Sequence, residues 1–565
     1  MNRTVARARR GDAVFNGRVQ SKAVVRRFAM VEPEHDAALE DTDRLHGRSA
    51  LVDNVKAAVA LAGAVRSTLG PRGLDKMLVE EGGSATVTND GVTVLQTAKV
   101  EHPAARLLIS TSSSQDRAAR DGTTTTVILT AEMLQNALEL VRSGVHPSII
   151  MNGYQIALAE ALAEMEHMAR APQSEAERRA VVETSLAGKI DSSLTAHLTG
   201  LALEAADALA GEEGDADLER LRVKRLMVRD GTARESEIVH GMVLAKSRMD
   251  MATPANSDGG RIAIVDGDLE NAKLELEASI EVTSTGALRS FHERARERLQ
   301  EQVELLKSLD VDLLVVRDGV AEEAITMLTN AGITAYRRFE REDLERLARI
   351  TGSTMVRDAR RIKKEDVGTY SSRSEQTFSG VKHTRIDGSE GGAMTVLIRG
   401  TSPAVREEAQ RAFDDALGVA HRLSGDSQLL PGGGASQIHL ARHLRAFAPS
   451  QSGREQLAIE AYAAALEIVP RTLAENSGLD PIDVILTLSA AQVADSENGP
   501  WIGLDVMSGE KARMDEAGVI DPLFVVRHAL SGATEAANSI LRIDDVLWAK
   551  QDAQTPDWQS EMDQD

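Results

Sequence analysis

Asp121-Gly122-Thr123-Thr124-Thr125-Thr126 is the stretch on which the fold of this chain turns. It sets a carboxylate, a glycine and a row of hydroxyls directly ahead of an apolar 3.6-residue period. That period predicts a long helix over 123–142. A helix N-terminus leaves backbone N–H groups unpaired and carries the positive end of the dipole, so it favours phosphate. The glycine lets the backbone come close, and the carboxylate suits Mg²⁺, a hard cation that prefers oxygen. Taken alone, the same stretch also reads as an N-cap before a tight turn.

Three more glycine-marked turns accompany it: Thr68-Leu69-Gly70-Pro71-Arg72-Gly73, Thr88-Asn89-Asp90-Gly91 and Pro431-Gly432-Gly433-Gly434-Ala435. Each lets backbone N–H groups approach an anion. Residues 84–96 alternate polar and β-branched side chains around Asn89-Asp90-Gly91, which predicts a hairpin. The standard P-loop is absent. Gly188-Lys189 is followed by Ile190 where Ser or Thr is required, and Glu183 stands where the first Gly belongs. There is no H-E-x-x-H helix, and the 13 histidines are scattered. A nucleotide would have to be held by another device.

Helical periods also run over 50–67, stopping at Gly70-Pro71, and over 147–168. Residues 290–309 predict an amphipathic helix with Ala295, Leu299, Val303 and Leu306 on one face. A strand at Leu313–Val316, a helix at 321–331 and a strand from Ile333 follow, which makes a β-α-β unit and a separate α/β domain. Helix returns at 403–424, 454–477 and 526–541. Helical ends around an α/β middle imply a discontinuous domain with an insertion.

The 565 residues suffice for about three or four domains and a sizeable core. Zero cysteine excludes disulfides, thiolate zinc sites, iron–sulfur clusters and cysteine nucleophiles. No apolar run is long enough to span a membrane. The net charge of −22 argues against a nucleic-acid partner, since phosphate contacts need clustered Lys and Arg. Residues 1–29 carry eight basic side chains against Asp12 alone. They suit a transit peptide, or else an overlong gene start or a floppy tail with Met30 as the native first residue, which is the preferred reading. Residues 30–565 then carry −29. With 51 arginines to 14 lysines, this fits a salt-screened cytosol, and it fits a GC-rich genome too. Residues 551–565 hold five acids and no base and read as a disordered tail.

The four turns occur with further segments in a set order. These are Arg66–Leu78, Glu101-His102-Pro103-Ala104-Ala105, Gln115-Asp116, Gly453–Ala458, Asn476–Pro481 and Leu541-Arg542-Ile543-Asp544-Asp545. Together they resemble the group II chaperonins, the archaeal thermosome and eukaryotic cytosolic TCP-1/CCT family. The resemblance runs from about Gly47 to Lys550, is thin in the middle, and points to a diverged archaeal-type subunit. It implies a multi-domain α+β chaperonin fold. A mostly helical equatorial ATP-binding domain would take 46–170 and 425–550, and a small intermediate domain 171–242 and 385–424. An α/β apical domain would take 243–384, with a helical lid protrusion near 265–300. A basic leader and extension would occupy 1–45, and an acidic tail 551–565. The implied function is an ATP-dependent chaperone subunit of a cytoplasmic double ring. Such a ring encloses unfolded or non-native proteins, is built of one subunit or several related ones, uses ATP and Mg²⁺, and involves neither nucleic acid nor membrane.

The resemblance also implies roles for single residues. Leu69, Gly70 and Pro71 match a nucleotide-contacting turn, and Asp121 matches the Mg²⁺ ligand. Gly122, Thr123, Thr124 and Thr125 match the phosphate cradle, with Gly91 in the same nucleotide-binding set. Gly433 matches a glycine beside the nucleoside, Asp521 an acid near the ribose, and Lys189 a γ-phosphate sensor. Asp90 and Asp415 match two aspartates that act on the attacking water, the second on a helix that swings inward. Phosphoryl transfer needs a group to orient an in-line water, and a carboxylate suits that task. On a mobile helix, it makes hydrolysis conditional on closure. From the residues alone, Asp414-Asp415 reads as a solvated helix face and Lys189 as a surface lysine. The chain departs from the family at Arg120, where glycine is usual, and at Arg117, Ala118, Ser436 and Gln437. Arg120 leaves two readings open. It contacts phosphate, or it blocks the pocket and leaves a ring subunit with weak or absent hydrolysis that acts in assembly or client binding.

Overall fold

The period at 50–67 folds as the Arg48–Arg66 helix, which buries Leu51, Val55, Ala58, Ala62 and Val65 along one stripe. In this computed structural model the described residues are 42–79, 83, 85–98, 100–209, 222–269, 285–389, 392–495 and 497–549. The leader, the acidic tail and residues 270–284 of the expected protrusion lie outside them. The chain divides into two compact units, Met1–Leu45 with Asp545–Asp565, and His46–Asp544. The smaller is built on a two-stranded sheet of Thr42–His46 and Asp545–Ala549.

The larger unit holds several cores. The first is helical and joins both ends of the sequence. Helices Arg48–Arg66, Pro103–Ala119, Thr123–Arg142 and Pro147–Met168 pack with Ala435–Phe447, Glu455–Leu466, Ile468–Asn476 and Leu523–Leu541. At its centre Tyr154 and Tyr462 meet edge to face at 5.3 Å. The Tyr154 hydroxyl donates to the Met133 carbonyl at 2.7 Å, and the Tyr462 hydroxyl bonds Thr534 Oγ1 at 2.8 Å. No buried hydroxyl is left unpaired in this pair, which keeps its burial favourable.

A second core lies under helices Glu175–Leu186, Ser192–Leu209 and Pro403–Gly425. They cover a sheet in which Met394–Arg399 runs between Val223–Val228 and Glu237–Val239. The middle of the chain forms a seven-stranded mixed sheet. Its parallel part is Gly260–Val265, Leu313–Val316 and Thr334–Tyr336, with Met355–Val356 also parallel to the first. Leu314 and Val316 face one cluster while Leu313 and Val315 face another. Both faces are therefore covered, and the strand reads as a continuous apolar run. The expected β-α-β unit is present, with its helix at Glu322–Asn330.

Two expectations need correction. The hairpin consists of Lys76–Val79 and Ala85–Thr88, so Asn89-Asp90-Gly91 follows it and does not form its turn. The Asp90 carboxylate accepts from the Val92 and Thr93 amides at 3.3 and 3.0 Å and starts the Gly91–Thr97 helix. Aspartate is as good an N-cap as it is a turn residue. The predicted helix at 454–477 is two, Glu455–Leu466 and Ile468–Asn476. Pro470 sits in the first turn of the second, where its missing N–H is tolerated. Among the described residues, no helix is long and apolar enough to cross a membrane.

Candidate nucleotide site

The four turns converge on one cavity of about 380 Å³ in the larger unit. Leu69, Gly70, Pro71, Asp90, Gly91, Asp121, Gly122, Thr123, Thr124, Thr125, Lys189, Gly433 and Asp521 all line it. Asp415 does not line it, but its Oδ2 lies 2.8 Å from Lys189 Nζ, which does.

Each wall has a local cause. Asn476 Nδ2 donates to the carbonyls of Leu69 and Arg66 and pins the first turn. Gly188 lies across that turn, where a Cβ would come 2.6 Å from Gly70 O and 2.9 Å from Pro71 Cα. Asn89 Nδ2 donates to Gly188 O at 2.5 Å, so three separate segments are tied together. Gly122, at φ 75, precedes the Thr123–Arg142 helix and offers no side chain to cap it. The first N–H groups of a helix have no partner within it, so they remain for a ligand. Fully buried Gln115 braces the turn, donating to Asp121 O at 2.7 Å and Val525 O at 3.2 Å. A Cβ on Gly91 would collide with Thr124 Oγ1, so the Asp90 turn packs directly on the cradle.

Residues 61–551 match the TCP-1/cpn60 chaperonin family. The chain belongs to that family. It is 38% identical over 523 residues to a thermosome subunit of Methanocaldococcus jannaschii, covering 90% of this chain and 94% of the relative. A thermosome subunit of Methanopyrus kandleri is 38% identical over 517 residues, covering 91% and 94%. The thermosome subunit alpha of Methanothermobacter thermautotrophicus is 37% identical over 512 residues, covering 90% and 93%. The chain is thus a chaperonin with the α+β fold of that family, and its broad role is that of a chaperone.

The chaperonin cavity is strongly charged at one end. Lys189 Nζ stands 2.8 Å from Asp415 and 4.0 Å from Asp121 Oδ1. Burial alone would depress the lysine, but Asp415, Asp121 and Asp90 outweigh it and hold the ammonium's pKa above its ordinary value. Burial pushes Asp415 up to about 7 against the pull of Lys189. The ammonium stays charged whichever carboxylate takes a proton. Asp414 turns elsewhere, to Arg225 Nε at 2.6 Å. Burial also raises Asp121, and it raises Asp521 from 3.8 to about 7 with help from the charge of Asp121.

A raised carboxylate favours the folded state while it is protonated. The contribution of Asp521 is therefore complete below pH 3.8 and lost as pH rises through about 7. Melting temperatures of the nucleotide-free protein are expected to fall across that window. Asp521→Asn is expected to flatten the fall, and an unchanged slope would contradict this.

The residues fit a nucleoside triphosphate. Leu440, Leu466, Val469, Leu473, Leu504 and Val506 make an apolar wall for a base. Asn89 Oδ1 and Gln437 Oε1 lie in the lining, buried and without a partner, and can accept from a ligand's amino or hydroxyl groups. The apolar wall is not legible in the sequence, because its positions repeat with the ordinary core period, whereas Asn89 belongs to one of the four turns. Arg120 is not among the residues that line the cavity. It ends the Pro103–Ala119 helix in the left-handed region, φ 57 and ψ 9. That conformation costs a residue with a Cβ about 1–2 kcal/mol, which explains why glycine is the usual occupant.

Proposed function

We propose that this chaperonin chain hydrolyses ATP and, as one subunit of a cytoplasmic double ring, uses hydrolysis to close a lid over non-native proteins. The observation that carries the reading is the meeting of Asp90, Asp121 and Lys189 in one cavity beside an uncapped helix N-terminus, with Asp415 held against Lys189 from outside the lining. The base would lie on the apolar wall, and the phosphates on the N–H groups and hydroxyls of Thr123, Thr124 and Thr125. Asp121 would hold Mg²⁺, which when bound neutralises charge on the phosphate oxygens. Asp90 is aimed by its own helix, since Thr93 Oγ1 donates to it at 2.7 Å, and it orients water. Asp415, with a pKa near 7, is suited to accept a proton from that water. Lys189 holds Asp415 in place and meets the γ-phosphate.

In this reading the helical core is the equatorial domain, 46–170 and 425–550. The second core is the intermediate domain, 171–242 and 385–424, and the middle sheet is the apical domain, 243–384. Ring assembly is supported by the Lys76–Val79 and Ala85–Thr88 hairpin. Met77 and Val79 are 69% and 68% exposed, and a two-stranded hairpin is marginal in water without a partner. Rings of one subunit or of related subunits both satisfy this. A ring subunit with weak or absent hydrolysis is the competing reading, favoured by the strain at Arg120.

Phosphate release by purified rings with Mg²⁺ in high salt tests the proposal. Turnover above buffer supports it, and release equal to buffer from intact rings overturns it. The acidity of the chain predicts that the same rings dissociate as salt is lowered, because screening of like charge is lost. Light scattering across a salt titration reads this, and rings intact in dilute buffer would count against salt adaptation.

A further inference from the structure

The strain at Arg120 has a counterpart 298 positions away. A Cβ on Gly418 would lie 2.8 Å from Arg120 Cβ and 3.2 Å from its Cδ, with Cγ closer still. The arginine stem therefore rests on the bare backbone of the Pro403–Gly425 helix, where any larger residue would collide with it. Gly418 is three residues beyond Asp415, so the two share a helix face. Arg422, one turn further on, ties the same places together. Its Nη1 donates to Gly418 O at 3.0 Å and its Nη2 to Arg117 O at 2.9 Å. The Arg120 head group is only partly paired. Nη1 is 3.7 Å from Asp116, and Nε is buried with no partner.

We propose that Arg120 is a positioning residue for Asp415. Its stem is the rest against which Gly418 seats, which sets the distance between the Asp415 helix and the turn that carries Asp121. This rests on the reading of Asp415 as the group acting on water. Glycine at 120 would leave a gap under the helix, and a side chain at 418 would lift the helix off the stem. The two substitutions made together would fill the gap with a methyl.

The test uses the full chain in assembled form with four variants: Arg120→Gly, Arg120→Lys, Gly418→Ala and the double Arg120→Gly/Gly418→Ala. Two readouts are taken: hydrogen exchange of the amides at 414–422 without nucleotide, and kcat and KM for phosphate release. Arg120→Gly and Gly418→Ala are each expected to speed exchange about tenfold or more. They are expected to lower kcat about 10- to 100-fold with KM nearly unchanged, as for a misplaced catalytic group. The double variant is expected to recover most of both losses. Arg120→Lys, which keeps the stem, is expected to stay close to the unsubstituted protein. Unchanged exchange in Arg120→Gly, or additive losses in the double variant, would overturn the proposal. If the unsubstituted rings release no phosphate, the hydrolytic reading fails, while the exchange comparison still decides this one. Should a single variant not fold, a folded double variant with native exchange supports the proposal, and one with fast exchange refutes it.

Discussion

Alanine at Asp415 is expected to slow phosphate release about 10²- to 10⁴-fold, the usual worth of a positioned proton acceptor. Nucleotide affinity should stay nearly constant. Asp415 touches the cavity only through Lys189, so it adds little to ground-state binding. The loss therefore belongs in kcat, with KM scarcely moved. Asp415→Asn is the sharper variant. An amide oxygen can still accept from Lys189, so the helix stays seated while the proton acceptor is gone. Single-turnover phosphate release on assembled rings measures both variants. Hydrolysis that survives Asp415→Ala unchanged would remove Asp415 from the mechanism.

Lys189→Ala is expected to act on stability before it acts on chemistry. The ammonium sits between Asp415 and Asp121, and all three side chains are roughly three-quarters or more buried. Removing one partner from such a set leaves uncompensated charge and costs about 3–5 kcal/mol. The cost depends on pH. Asp415 already sits near 7, and without the lysine it moves higher, so it is neutral in acid. The raised carboxylate favours folding while protonated, and that contribution disappears as pH rises through its folded value. The variant should therefore be close to the parent at pH 5 and much weaker at pH 8. Added Mg²⁺ should recover part of the difference at the higher pH, because a divalent cation can take the charge the lysine leaves. Urea melts at both pH values, with and without Mg²⁺, read this directly. Equal loss at both pH values would show that Lys189 matters by packing alone. Lys189→Arg is not expected to substitute, since a planar fork does not fit where a point charge stood.

The parts of this molecule that were legible in the sequence are those with local causes. Thr123–Arg142 and Pro147–Met168 match their expected limits, because each couples a 3.6 period to a marked start, Gly122 in one and His146-Pro147 in the other. Leu313–Val316 was legible because a strand covered on both faces has no polar interruption. Asp90 was placed in the wrong element because turn and N-cap draw on the same residue types. The pairing of Ala85–Thr88 with Lys76–Val79 distinguishes them, because it ends the hairpin before Asn89 and leaves Asp90 to cap the next helix. Asp415 and Lys189 had no signal of their own, and their juxtaposition links residues 226 positions apart. Family resemblance nominated them where periodicity favoured a solvated face. The contact of Arg120 with Gly418 was out of reach for the same reason, since a glycine inside a helix says nothing about which side chain needs the space.

The exposed hairpin after the Leu69-Gly70-Pro71 turn also bears on production of the protein. Its strands have open edges, and its side chains Met77, Val79 and Val87 face solvent. An unpaired apolar edge is a template for indiscriminate strand addition. A subunit made in excess of its partners would leave that edge open to any chain with a free strand. Gene dosage, or the ratio of co-expressed paralogues, would then govern yield of soluble material more than the intrinsic stability of the fold does.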